Sequence, residues 1–227
     1  MYNGKGRNKL KASNKIRKVN STNPETDIIA EAAGIIINGG VVVFPTRSLY
    51  GMGADAFSAK AVNRVFHIKQ RPAGKPILVL IKDKDELERL ALFVPPAAVA
   101  IMESFWPGRV TIVFQAKQHL LANLTAGTNK IGIRLPGHDV AHALVKTAKI
   151  PITGTSANLS GNTGCFRVDD LDKTIVDGVD LILDAGPLNG GAGSTIVDIT
   201  AKTPLILRQG VLSQRDISNV IDNLRLF

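Results

Sequence analysis

A single cysteine, Cys165, is all that this chain of 227 residues contains. That excludes an intramolecular disulfide and a cysteine-built zinc cage, and it points to a reducing cytoplasm. Aromatic residues make up only 5%, too few for a base-stacking surface of the RNA-recognition type. No run of about 18 apolar residues is present for a membrane span, and the N-terminal segment lacks the apolar region of a secretory signal. A mitochondrial presequence would share the absence of acids there, but the apolar helical face it needs is weak. Neither G-x-x-x-x-G-K-[ST] nor a G-x-G-x-x-G between strand and helix occurs, so P-loop and Rossmann binding are not indicated. No G-x-S-x-G elbow surrounds Ser156, which argues against a hydrolase nucleophile.

Acidic residues are missing from residues 1–20, which carry seven Lys or Arg. Of the formal charge of +9, this segment holds seven, leaving +2 for the remainder. The basic character therefore belongs to a tail. Residues 1–23 are too poor in apolar side chains to bury themselves and are expected to be disordered, with a weak electrostatic RNA contact as their one candidate role. Residues 24–227, in a chain that is 44% hydrophobic, suit one domain with a substantial core.

Within that domain, Asn23-Pro24-Glu25 has the form of a helix start with Asn23 at the cap, and Ile28, Ile29, Ala32, Ile35 and Ile36 recur at helical spacing up to Asn38-Gly39-Gly40. Val41–Phe44 reads as a strand buried on both faces. Pro45–Ala56, with two hydroxyls and two glycines, reads as a loop at a strand end, where ligands gather in α/β sheets. Helices are expected at 59–69, 84–92, 96–105, 139–149 and from 213. Strands are expected at 77–81, 110–114, 130–135, 150–153, 181–184, 195–199 and 205–208. Interleaved strands and helices make the class α/β, one domain with a twisted mixed sheet flanked by helices.

Two polar stretches carry the candidate chemistry. Gly154-Thr155-Ser156-Ala157-Asn158-Leu159-Ser160-Gly161 follows an apolar strand, and its short side chains let backbone N–H groups approach a phosphate. Lys69-Gln70-Arg71-Pro72-Ala73-Gly74-Lys75 sets three cations before the next strand. The two are expected to face each other across a nucleotide. Arg134, a cation at a strand end among apolar neighbours, asks for an anion. His138 and His142 stand at i, i+4, but Asp139 reads better as helix-start chemistry than as part of a metal site.

Taken together, these segments resemble the YrdC/TsaC family of threonylcarbamoyl-AMP synthases over about residues 24–222. The shared motifs are Pro45-Thr46…Tyr50-Gly51, Lys69-x-Arg71-Pro72, Trp106-Pro107-Gly108…Thr111, Arg134-x-Pro136-x-His138, Ser156-Ala157-Asn158-x-Ser160-Gly161, Ser194-Thr195-x-Val197-Asp198 and Arg208-x-Gly210. The resemblance is to the short, single-domain type. It implies condensation of L-threonine, bicarbonate or CO2 and ATP, with Mg2+ bridging the phosphates, and transfer of the product to proteins that modify tRNA. By the same resemblance Lys69 and Arg71 are catalytic and bind nucleotide with Ser156, Asn158 and Arg208, while Thr46, Arg134 and Ser194 bind threonine. No metal ligand is assigned. Lys69 and Arg71 are expected to supply charge rather than fold stability. Two departures stand out: Arg47, where relatives commonly carry an acid, and Leu80, where longer members have histidine. They keep open a paralogue with other carbamoyl- or acyl-adenylate chemistry. A non-catalytic RNA-binding module is the other alternative.

Overall fold

The computed structural model describes residues 14–201 and 203–224. Ten strands form one mixed sheet: β1 (Ile16–Lys18), β2 (Val42–Pro45), β3 (Tyr50–Gly53), β4 (Leu78–Leu80), β5 (Val110–Gln115), β6 (Lys130–Arg134), β7 (Ile152–Ser156), β8 (Leu181–Asp184), β9 (Thr195–Asp198) and β10 (Leu205–Arg208). Their spatial order is β1-β8-β2-β3-β7-β4-β6-β5-β9-β10. Pairs β1/β8, β2/β8, β4/β6 and β5/β9 are parallel and the others antiparallel. The helices are α1 (Thr26–Ile37), α2 (Ala59–Lys69), α3 (Leu87–Leu90), α4 (Pro96–Phe105), α5 (Ala122–Thr125), α6 (Asp139–Ala148), α7 (Lys173–Gly178) and α8 (Gln214–Leu224). No helix among the described residues is long and apolar enough to cross a membrane.

Both sheet faces carry an apolar core, and the alternation along each strand decides what faces where. On one face Val42, Phe44, Leu181 and Leu183 pack under Ile29, Ile36, Val140 and Leu144 of α1 and α6. On the other, Val43, Met52, Ile112, Ile131, Ile133 and Val197 pack with Val62 and Val65 of α2 and Ile101 of α4. The two helices of the first face cover only part of it. Beyond β4 that face is bare, and the residues alternating with the core positions, Thr111 and Val113 on β5, Lys130, Gly132 and Arg134 on β6, and Ile196 and Asp198 on β9, line a cavity.

Several expectations need correction. Residues 14–23 are not a disordered tail: Ile16–Lys18 is an edge strand paired with β8, and Lys15 Nζ donates to Val179 O at 2.7 Å and Asp177 O at 3.1 Å. A strand this short escapes notice because its partner supplies the pairing and the pattern is too brief to read. Residues 1–13 lie outside the described residues. The segment Pro45–Ala56 is not a loop; β2 and β3 form an antiparallel hairpin with a turn at 46–49. Its glycines face close neighbours, and a β-carbon on Gly53 would come within 2.5 Å of Thr153 O. The first helix is capped at Glu25, not Asn23, because Asn20 Oδ1 draws the N–H groups of Thr22 and Asn23 into a preceding turn. Strand β7 runs on through Ser156, two strand pairings fixing residues expected in a loop. The helix expected over 84–92 divides into a 3-10 turn, Lys84–Glu86, and α3.

Candidate functional site

Six of the eight expected site residues line one cavity of about 620 Å³: Thr46, Arg71, Arg134, Ser156, Ser194 and Arg208. Lys69 and Asn158 do not line it. The cavity runs along β6 from Arg134 to Lys130, about 13 Å at roughly 3.3 Å per residue. Its floor is apolar, with Leu78, Leu80, Ile196 and Leu207, and it is kept open by Gly132 and Gly154. A β-carbon on Gly154 would come within 2.7 Å of Leu78 Cδ1 and 2.9 Å of Leu80 Cγ.

The cationic end is built from three elements. Arg134 closes β6, and its Nε is buried with no hydrogen-bond partner among the described residues. Burial first, then the charges of Arg208 and Arg47, push its guanidinium down to about 10. Arg208 closes β10 and donates from Nη2 to Ser194 O at 2.8 Å. The turn after it is seated on Thr195 Oγ1, which accepts from the N–H groups of Gly210 and Leu212. Only glycine fits at 210, since a β-carbon there would stand 2.2 Å from Gly193 O. Burial holds both Arg208 and Arg71 below the ordinary guanidinium range.

The hydroxyls at this end are partly committed. Thr46 Oγ1 donates to Leu49 O at 2.6 Å, which leaves its lone pairs as acceptors. Ser194 Oγ lies 2.8 Å from Thr111 Oγ1, so one of the two keeps a proton to donate. Thr111, named above only within a motif and with no role, also lines the cavity. Its place opposite core-facing Val110 and Ile112 is the period-2 signal that could have found it.

Lys69 lies behind the wall, 1% exposed. The helix α2 ends in a left-handed Gln70 (φ 49°), a conformation that turns Lys69 inward and sends Arg71 on to the cavity. Lys69 Nζ donates to Ser156 O at 2.5 Å and Asn158 O at 2.6 Å. Burial, then Arg71, push its ammonium down to about 8, while the two carbonyls hold the proton in place. Asn158 Nδ2 donates to Leu159 O and Asn162 O. Both residues thus fix the loop after β7 and present Ser156. Arg71 is steadied by Lys75 O and Pro76 O, at 3.0 and 2.7 Å.

At the opposite end Lys130 Nζ meets Asp198 Oδ2 at 2.8 Å, the one carboxylate among the described residues of the lining. Behind the hairpin turn, the buried Tyr50 hydroxyl donates to Gly186 O at 2.7 Å and lies 3.2 Å from Asp184 Oδ1. Lys18 of β1 pairs with the other oxygen of Asp184. His138 caps α6 by accepting from Val140 N. No group of three His, Cys, Asp or Glu that could hold a metal ion occurs among the described residues.

The family model Sua5/YciO/YrdC, described as "Telomere recombination", matches residues 34–210. The chain is 34% identical over 195 residues to a threonylcarbamoyl-AMP synthase of Pyrococcus abyssi, covering 86% of this chain and 57% of that protein. A putative threonylcarbamoyl-AMP synthase of Methanocaldococcus jannaschii is 34% identical, with 88% and 94% covered. Among solved structures, P. abyssi Sua5 complexed with L-threonine superimposes with a TM-score of 0.85 at 33% identity, over 91% of this chain and 60% of that one. Escherichia coli YciO superimposes with a TM-score of 0.81 at 28% identity, over 89% and 98%. The chain thus spans little more than half the length of the P. abyssi relative.

Proposed function

Because the chain belongs to the Sua5/YciO/YrdC family, we propose that it is a threonylcarbamoyl-AMP synthase, a nucleotidyltransferase that condenses L-threonine, bicarbonate or CO2 and ATP and releases pyrophosphate. The observation that carries this reading is Arg134: a guanidinium with an unsatisfied buried Nε whose nearest charges are cations, set in a cavity large enough for a nucleotide and an amino acid. Such a group is costly to bury unless a ligand brings the anion. The α-carboxylate of threonine is that anion, and P. abyssi Sua5, solved in complex with L-threonine, shares the fold.

The chemistry asks little of a protein nucleophile. The threonine amine and bicarbonate give a carbamate and water; a carbamate oxygen attacks the α-phosphorus of ATP and pyrophosphate leaves. The protein must hold anions together and meet the charge that develops. Arg71, Ser156 and Arg208 face the nucleotide. Thr46 and Ser194, the latter with Thr111, face the threonine hydroxyl as acceptor and donor. Lys69 and Asn158 act as positioning residues for Ser156. Mg2+ enters as part of the MgATP substrate, and Asp198 is already engaged by Lys130 and Thr200. The product serves threonylcarbamoyladenosine modification of tRNA in the cytoplasm, through downstream proteins, with residues 1–13 as a candidate RNA contact.

Incubation with ATP, bicarbonate and threonine, serine or valine in competition, read as the mass of the AMP adduct, tests this. Threonine is expected to dominate, serine to be weaker, and valine to be lower by about 5- to 150-fold because it leaves a polar group unpaired. Equal use of valine would remove the hydroxyl recognition, and no adduct at all would remove the reading. A paralogue that makes another adenylate is the second reading, kept open by Arg47 and Leu80. An RNA-binding module without catalysis has no use for a cavity of this depth.

A further inference from the structure

The cavity holds one pair of opposite charges among its described lining residues, and a pair already neutral has little use for a phosphate or a carboxylate. Lys130 Nζ lies 2.8 Å from Asp198 Oδ2, and both residues line the cavity. Asp198 Oδ1 accepts from Thr200 N at 2.8 Å and Thr200 Oγ1 at 2.7 Å, which fills its lone pairs, whereas Oδ2 accepts from Lys130 alone and keeps one. The Lys130 ammonium has three N–H groups and gives one to Asp198, with no other partner among the described residues. The Asp198 side chain is 9% exposed and that of Lys130 40%, so the carboxylate is fixed in the wall while the ammonium reaches the open space. Burial works against charge on Asp198, but Lys130 and Thr200 hold it below the usual carboxylate range. One acceptor beside one donor is thus presented to a neutral polar group.

The sheet places this pair at one branch of the substrate. From Arg134 to Lys130 the cavity runs about 13 Å along β6, the reach of a nucleotide rather than of an amino acid. Between them lies a flat apolar step: Gly132 is paired with Val113 on β5, and a β-carbon on it would come within 3.2 Å of Leu78 Cβ. Val113 is in turn paired with Asp198 on β9. Strand order puts Ser156 of β7 on one side of β6 and Asp198 on the other. An α-phosphorus attacked by a carbamate held near Arg134 has two further groups to place. Pyrophosphate leaves in line, away from the carbamate, toward Arg71 and Ser156; the adenosine is left with the β9 flank. There its planar base finds Gly132 and Val113 beneath its face and the charged pair at its edge. We propose that Lys130 and Asp198 are the base-reading pair, Asp198 Oδ2 accepting from the exocyclic 6-amino group of adenine and Lys130 Nζ donating to the adjacent ring nitrogen. The assignment rests on the synthase reading of the preceding subsection.

The test compares ATP with the triphosphate of purine riboside, which lacks only the 6-amino group, in steady-state synthesis of the nucleotide adduct by the full chain. The unaltered chain is expected to use the analogue about tenfold less well in kcat/KM, the scale of one hydrogen bond to a charged group. Asp198→Asn puts a donor where the free acceptor stood, because Thr200 N holds the amide oxygen on the other side; it is expected to bring the two nucleotides, and the KM for threonine, within about threefold of parity with each other and with the unaltered chain respectively. Lys130→Met is expected to raise the KM for both nucleotides about tenfold and preserve their ratio, since both carry the ring nitrogen. Equal use of the two nucleotides by the unaltered chain overturns the assignment, as does a full preference kept by Asp198→Asn. Loss in that variant of discrimination against 2′-deoxy-ATP, with the 6-amino preference intact, overturns it in favour of the ribose. Should Asp198→Asn fail to fold, an unchanged nucleotide KM in Lys130→Met overturns the pair. If no adduct forms with any amino acid, the synthase reading falls, and calorimetric binding decides the pair alone: tighter binding of ATP than of the analogue upholds it, and equal binding removes it too.

Discussion

Replacing Arg134 with methionine should stabilise the ligand-free protein while disabling it. The guanidinium is pushed down from the ordinary arginine range to about 10, which at 1.36 kcal/mol per unit corresponds to about 3 kcal/mol against the charged form. Water in the open cavity screens part of this, so about 1–2 kcal/mol is the expected gain. Methionine keeps most of the stem and removes the charge, and no hydrogen bond from Arg134 Nε to the protein is lost. A cation with a lowered folded pKa is penalised fully at every pH below that value, and the penalty fades only above about pH 10; the gain should therefore be constant near neutrality. For a chain of this size it amounts to roughly 2–8 °C in midpoint. L-Threonine should reverse the order, stabilising the unaltered protein by up to about 2.7 kcal/mol at a hundredfold excess over its Kd and the variant far less. Urea titration with and without threonine measures both. A variant that is less stable without ligand, and equally stabilised by threonine, would refute the view of Arg134 as an unpaired anion receptor.

Lys69→Met should lower stability, because two buried carbonyls lose their donor at about 1–3 kcal/mol each; an unchanged thermal midpoint with synthesis lost would return Lys69 to a direct role. Deleting residues 1–13 should leave the thermal midpoint unchanged, whereas deleting 1–22 removes β1 and the Lys18–Asp184 pair and should lower it; equal midpoints would mean that β1 contributes nothing. Asp184 is raised by burial but held below the usual carboxylate range overall by Lys18, Gly186 N–H and Tyr50, so its contribution is present above about pH 3.9 and lost as pH falls through the lowered value. Asp184→Asn should therefore cost stability at pH 7 and converge with the unaltered protein in acid, which denaturation at pH 7 and pH 3 would read.

Much of the site was legible because its residues sit where long periodic elements end. Arg134 and Arg208 close strands whose alternation is plain, and Lys69 and Arg71 close a helix expected at 59–69 and found there. The side on which each cation falls was not legible. A left-handed Gln70 separates Lys69 from Arg71, and nothing in the order of residues announces that turn. The hairpin at 42–53 was missed for a related reason: Tyr50-Gly51-Met52-Gly53 has the composition of a loop, and only the close approach of Thr153 and Phe44 requires those glycines in a strand. The strand at 16–18 could not be found locally, since its cations read as a solvated leader and its partner lies at the other end of the chain.

That last pairing bears on how the protein is made. Lys18 and Asp184 are 166 residues apart, so a ribosome working at about 5–20 residues per second holds the first strand without its partner for roughly 8–33 s. An exposed apolar edge would invite association with other nascent chains over that interval. Lys15, Arg17 and Lys18 flank the single Ile16 and keep the waiting segment hydrated and mutually repelling. The charge that makes the N-terminus look like an unstructured leader is thus what lets this strand wait for its partner without aggregating.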